Sequence, residues 1–176
     1  MRGFRSSARR ACGSGRSACP NHPVEKGQVM EFRLLGPVEV IEDGQPVPLG
    51  SVKALGLLTV LLLAPNLSAP RETIARHLWP GAGWDPRNIR RCAADLRQKI
   101  DPGMLRRSAA GSYRLDIARE QVDYLRFLDA MAQAGEQRGA ERATTLRQSL
   151  EEWRGIPLDD LVNMDFELEK SMLDTQ

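Results

Sequence analysis

Residues 85–100, DPRNIRRCAADLRQKI, decide the fold. Asp85 suits a helix N-cap, and Pro86 suits the first helical position. Ile89, Ala93, Leu96 and Ile100 recur at helical spacing, with Cys92 beside them, so one stripe can be buried. On a 3.6-residue wheel Arg87, Arg91, Ala94 and Gln98 point the opposite way. Arg90 and Arg97 occupy one flank, Asn88 and Lys99 the other. Such a helix spends one side on a core and offers cations and amides on the other, as a DNA-reading helix does. A solvated basic face has the same composition, so the flanking segments must separate the two readings.

Upstream, residues 31–41 (EFRLLGPVEVI) predict strand, turn and strand around Gly36-Pro37. Asp43-Gly44 signals a tight turn, and a third short strand is expected over 45–49. Residues 52–64 are apolar nearly all round and predict a helix buried on most sides. Pro65-Asn66 breaks it. Ser68 and Pro70 open a second helix that runs through Trp79, with Ile74, Ala75 and Leu78 inward. Downstream of the basic helix, 104–108 and 113–117 flank a small-residue turn and predict a β-hairpin carrying Arg106, Arg107 and Arg114. The fold class is therefore mainly α with small β-sheets. It is a winged helix-turn-helix: N-terminal antiparallel sheet, three helices, and a C-terminal hairpin wing.

From Val122 onward the pattern is helical. One stripe holds Leu125, Leu128 and Ala132, supported by Tyr124, Phe127 and Met131, with a break expected at Gly135. A second holds Ala140, Ala143, Leu146, Leu150 and Trp153, and another helix is expected from about Phe166. Helix pairs of this size resemble a helical-repeat module, which needs about three repeats for stability, so this rear module reads as partial. Three segments result: a disordered basic tail (1–29), a DNA-binding domain (30–118) and a partial all-α module (119–176). Met30 opens the first strand and is a candidate translation start.

Charge follows this division. Residues 1–29 hold six Lys/Arg against one acid, and residues 118–176 hold seven against thirteen. A basic front joined to an acidic rear suits nucleic-acid binding at one end and a protein partner at the other. Cys12, Cys19 and Cys92 form no disulfide framework, which points to a reducing cytoplasm. Cys12, Cys19 and His22 lack a fourth ligand and match no common zinc-finger spacing, so no metal is expected. Cys92 reads as a small buried apolar residue. The apolar run at 55–64 is about half the length needed to span a bilayer. Nor is an enzyme expected: the two histidines have no nucleophile or paired carboxylate nearby in sequence, and no Walker-type phosphate loop occurs. No cofactor is implied.

In this order the segments resemble the Streptomyces antibiotic regulatory protein (SARP) family, from Met30 to about Gln176. "FRLLGPVEV" and "PVPLG" resemble its N-terminal sheet, "KALGLLTVLLL" its first helix and "IARHLW" its second. "RNIRRCAADLRQKI" resembles the recognition helix, with Arg87, Asn88, Leu96 and Arg97 matching. "GSYRLD" resembles the wing, with Tyr113 and Arg114 matching. "VDYLRFLDAM" and "EEWRGIPLDDL" resemble the start of a bacterial transcriptional activation domain, with Trp153, Arg154, Gly155, Pro157 and Leu158 matching. Two positions depart from the pattern: the wing tip is Ala109-Ala110-Gly111-Ser112 rather than Gly-Pro-Gly-like, and Asp95 replaces a basic or polar residue.

The resemblance implies an activator that binds direct repeats upstream of an antibiotic gene cluster, two protomers side by side, and recruits RNA polymerase. Arg87, Arg91 and Gln98 are the candidates for reading base edges in the major groove. Asn88, Arg90, Arg97 and Lys99, with Arg107 and Arg114 on the wing, are the candidates for phosphate contact. Arg114, with Arg106 or Arg107, would reach the neighbouring minor groove or its backbone, while Lys53 and Arg76 could assist or be ordinary surface charges. Tyr113 and Trp153 read as packing residues. Trp79 and Trp84 bracket a loop whose residues 81–85 are a candidate polymerase-facing patch. A DNA-binding competitor without activation, and a protein-interaction module that binds no DNA, remain the alternatives.

Overall fold

The computed structural model describes residues 30–81, 83–161 and 164–166. The tail at 1–29, with Cys12, Cys19 and His22, and the helix expected beyond Phe166 lie outside the described residues.

The chain opens with β1 (Met30–Arg33), β2 (Glu39–Glu42) and β3 (Gln45–Pro46), an antiparallel sheet in the order β1-β2-β3. Asp43 and Gly44 both have positive φ (49° and 82°) and close the two-residue loop between β2 and β3, as a type I′ hairpin turn requires. Helix α1 (Val52–Leu63) follows. Its cap is Ser51, whose hydroxyl accepts from the Ala54 N–H. Ala54 and every residue from Gly56 to Leu62 are buried, because α1 is surrounded by α2 (Arg71–Leu78), α3 (Pro86–Arg97) and the second sheet.

That second sheet holds β4 (Ser68–Ala69), β5 (Leu105–Arg107) and β6 (Tyr113–Leu115), in the order β4-β6-β5. Strand β4 corrects the expectation that a helix starts near Ser68. The backbone there pairs with β6, Ser68 opposite Arg114 and Ala69 opposite Tyr113, so α2 starts only after Pro70. The hairpin is thus part of a three-stranded sheet anchored ahead of α2.

Helix α4 (Asp123–Glu136) runs through Gly135, contrary to the break expected there, and α5 (Gly139–Leu150) follows. Gly135 is exposed in the last turn of α4, with open space where a Cβ would stand, so it costs only propensity there. The inward stripe expected on α5 is seen only at Leu146 and at Trp153 just beyond the helix, both half-buried. Ala140 and Ala143 are exposed, Leu150 is 61% exposed, and Ser149 is the one fully buried residue of the helix. Helix α5 packs chiefly on α4. On α4 the burial centres on Leu125, Phe127 and Ala134, while Ala132 is exposed. Trp153 is half-buried and meets Phe127 edge-on, with ring centroids 5.8 Å apart.

One buried apolar cluster runs from Met30 to Phe166. It therefore spans both sides of the boundary expected near residue 118. Val122 bridges Phe32 in parallel register. The Arg154 N–H donates to the Leu35 carbonyl (2.7 Å), and the Leu158 N–H to that of Gly36 (3.2 Å). Gly36 sits at φ +147° with the Arg154 Cβ 3.0 Å from where its own would be. The turn thus needs glycine both for its conformation and for this close approach.

Candidate nucleic-acid interface

Asp85 caps α3 as its sequence predicts: its carboxylate accepts from the Arg87 N–H at 2.7 Å, and Pro86 takes the first helical position. Ile89, Cys92, Ala93 and Leu96 are buried within the helix, and Ile100 just beyond it. The helix ends at Arg97, so Lys99 and Ile100 lie in the turn that follows rather than on the last helical turn. Burial pushes the Cys92 thiol above its ordinary range, with nearby Asp95 adding to the effect. That suits an inert packing residue.

The opposite side of α3 faces solvent. Arg87, Asn88, Arg90, Arg91, Gln98 and Lys99 are all exposed, Arg87 by 84% of its side chain. No described carboxylate pairs with Arg90, Arg91 or Lys99. Arg87 lies 4.0 Å from Asp85, a contact too long and exposed to hold it. The cations and amides expected in the groove and on its flank therefore project from a platform whose other side is core.

Arg97 behaves differently from the flank residue expected to meet phosphate. Its Nε and Nη2 both donate to the Leu105 carbonyl, at 3.1 and 2.9 Å. The side chain is half-buried and ties the end of α3 to the first strand of the hairpin. A guanidinium engaged twice by one carbonyl is a brace between α3 and β5.

The hairpin divides its arginines between two faces. Arg106 pairs with Arg114 across the strands, and both reach Asp116, at 2.8 and 3.3 Å. Arg107 pairs with the buried Tyr113 on the other face, toward α3. The sequence offers Arg106 and Arg107 as interchangeable partners of Arg114. Strand alternation separates them, leaving Arg107 without a described carboxylate and Arg106 and Arg114 partly neutralised. Tyr113 is 2% exposed, consistent with a packing residue.

Lys53 is not a free surface cation. Its Nζ donates to the Leu78 carbonyl and lies 5.5 Å from the centre of the Trp79 ring, so it closes the end of α2 onto α1. Arg76 is exposed. Trp79 and Trp84 are half-buried against the core on either side of the loop before α3. His77 stacks on Phe166 (centroids 5.1 Å apart), and its Nδ1 meets the Asp165 carbonyl. Among the described residues no three His, Cys, Asp or Glu side chains gather into a metal site. No described helix is long and apolar enough to cross a membrane.

A capped helix with an arginine face, a preceding short helix and a packed three-stranded sheet define a winged-helix-like protein. The comparisons agree. The chain is 33% identical over 151 residues to the transcriptional regulatory protein EmbR of Mycobacterium tuberculosis, covering 78% of this chain and 38% of EmbR. It is 29% identical over 147 residues to the regulatory protein AfsR of Streptomyces coelicolor, covering 77% of this chain and 14% of AfsR. It is 31% identical to the transcriptional regulatory protein MoaR1 of M. tuberculosis, covering 78% and 48% of the two chains. Among solved structures, M. tuberculosis EmbR in complex with a low-affinity phosphopeptide superposes with a TM-score of 0.74 at 29% identity, over 84% of this chain and 42% of that one. No protein-family model matches the chain. The chain is a homologue of EmbR and AfsR, which are regulators of the SARP family. It spans well under half the length of EmbR.

Proposed function

We propose that this protein is a sequence-specific DNA-binding transcriptional activator of a secondary-metabolite gene cluster, with residues 30–118 as the DNA-binding part and 119–176 as the partial helical activation part. The observation that carries the reading is the two-sided character of α3. Its apolar stripe is buried against α1, while Arg87, Arg91 and Gln98 stand exposed on the other side. B-DNA's major groove admits one helix, and arginine can bridge guanine O6 and N7 while glutamine pairs with adenine. Arg90, Lys99, Asn88 and Arg107 then lie where the flanking phosphates pass, and Arg114 approaches the neighbouring backbone. Two protomers side by side on a direct repeat would present the loop at residues 81–85 to RNA polymerase. The setting is the bacterial cytoplasm, at the nucleoid.

The test is selection of bound duplexes from a random pool, followed by binding measurements with Arg91→Ala. A recovered consensus that loses preference at one base in Arg91→Ala, with a penalty of about 1–3 kcal/mol at that base, supports the reading. A pool that yields no consensus, or no binding at low salt, refutes it.

A further inference from the structure

A notch lies where the start of α2, the first turns of α3 and the hairpin meet. It is lined by Arg71, Pro86, Ile89, Arg90, Arg107 and Gly111, with Tyr113 at its base, and has a volume of about 120 Å³. Three arginines and no carboxylate line it. Arg71 spends its Nε on Glu72 (2.7 Å), outside the notch. Arg90 makes one long contact, from its Nε to the Pro86 carbonyl at 3.4 Å, and Arg107 has no described partner. Gly111 is buried at φ +91°, and a Cβ there would lie 3.7 Å from Arg71 Nη1. The Arg71 side chain therefore passes close to the wing at Gly111.

Like charges gathered around so small a space repel one another unless an anion joins them. The N-terminal end of α3 adds its own positive end of the helix dipole. A notch of this size accommodates one phosphate group. We propose that the notch seats a single phosphodiester phosphate of duplex DNA, held by Arg71, Arg90 and Arg107 together, and that Arg71 is a DNA-contacting residue. The seat joins all three elements of the reading head through one ligand. It would fix the wing's position relative to α3 on DNA. This assignment rests on the DNA-binding reading above.

The test measures binding of the full chain to a random-sequence duplex across a series of KCl concentrations. Arg71→Gln is expected to raise Kd about tenfold and to lower the slope of log K against log salt by up to about 0.9, one phosphate's share. Arg71→Lys should keep the slope. Arg71 is exposed and ties only to Glu72, so matching melting curves should show both variants folded. Inorganic phosphate, followed at the Gly111 amide by NMR, separates the two sources of the anion. If it shifts that amide while Arg71→Gln leaves the DNA salt slope unchanged, the notch takes a free ion and the DNA assignment is overturned. If Arg71→Gln has no effect on either ligand while Arg91→Ala still weakens DNA binding, the notch fails and the DNA-binding reading stands. If the unaltered chain binds no duplex at low salt, that reading falls and takes the seat with it.

Discussion

The carboxylate of Asp123 caps the backbone of Leu34 across 89 residues of sequence. The Leu34 N–H donates to both of its oxygens, at 2.7 and 2.9 Å, and the Leu35 N–H donates to one of them at 3.0 Å. Asp123 is 1% exposed and also accepts from its neighbour's Tyr124 N–H at 2.6 Å. Arg154 stands 3.5 Å away and turns its other arm to Glu39 at 2.7 Å. The first strand's end thus has no sheet partner for these N–H groups, and a side chain from the start of α4 supplies one.

Asp123→Ala orphans two or three buried donors, each worth about 1–3 kcal/mol when left unpaired. The expected loss is on the order of 3 kcal/mol in urea unfolding, with Asp123→Asn losing less because one acceptor oxygen remains. A midpoint unchanged by Asp123→Ala would mean that the cap is dispensable.

Acid should separate two carboxyls that burial and pairing push in opposite directions. Burial pushes Asp123 above its ordinary range, against the pull of the N–H groups and Arg154. Its folded state holds the proton to higher pH than the unfolded chain, so this group favours folding most at low pH and less as pH rises past 3.8. For Glu31, burial also raises the carboxyl, but hydrogen bonds from Arg33 and Arg126, each 2.9 Å, outweigh it and leave it below 4.5. Its contribution is complete above 4.5 and disappears as pH falls through the lower folded-state value. Melting curves from neutral to acid pH should therefore show a steeper acid decline in the unaltered chain than in Glu31→Gln. Parallel declines would remove Glu31 from the account.

The difference between these pairs and α3 explains what sequence could and could not show. Asp85, Pro86 and the stripe from Ile89 to Leu96 declare their structure within one helix, because capping and 3.6-residue periodicity are local. Asp43-Gly44 does the same for its hairpin. Ser68-Ala69 carries no strand signature of its own, since two residues become a strand only by pairing with β6. Asp123 looks like any acid in a first helical turn, and nothing nearby in sequence names Leu34. The stripe on α5 misleads for the converse reason. Periodicity shows that a helix has an apolar side, whereas burial needs a second surface, and α5 packs chiefly on α4. At the interface the exposed face of α3 is legible in sequence. The split of Arg106 from Arg107 needs the strand register, and the engagement of Arg97 and the approach of Arg71 to Gly111 need the tertiary fold.

Gly36→Ala tests the seam between the front turn and the returning chain. Its φ of +147° is strained for any L side chain, and the new Cβ would stand 3.0 Å from the Arg154 Cβ and 3.3 Å from its carbonyl carbon. Backbone cannot swing aside as a side-chain tip can, so the cost should be about 1–3 kcal/mol. Gly44→Ala, with open space around it, should cost less because only the conformational part remains. Equal losses in the two variants would show that the approach of Arg154 adds nothing.

Arg97 offers the sharpest contrast with its neighbours on α3. Two donors on one carbonyl make it a link between α3 and β5, so Arg97→Ala should lower stability by about 1–2 kcal/mol, with the Leu105 carbonyl left to water. Arg97→Lys keeps the charge but not the fork, and should recover only part of the loss. Arg90→Ala, whose guanidinium has only the long Pro86 contact, should leave stability within about 0.5 kcal/mol and reduce the salt dependence of DNA binding by about one phosphate's share. Urea unfolding and salt-dependent binding of the three variants form one experiment. If Arg97→Ala instead leaves stability intact and lowers the salt slope as Arg90→Ala does, the side chain leaves Leu105 on DNA. Arg97 then returns to the phosphate-binding set that its place on the helix wheel predicts.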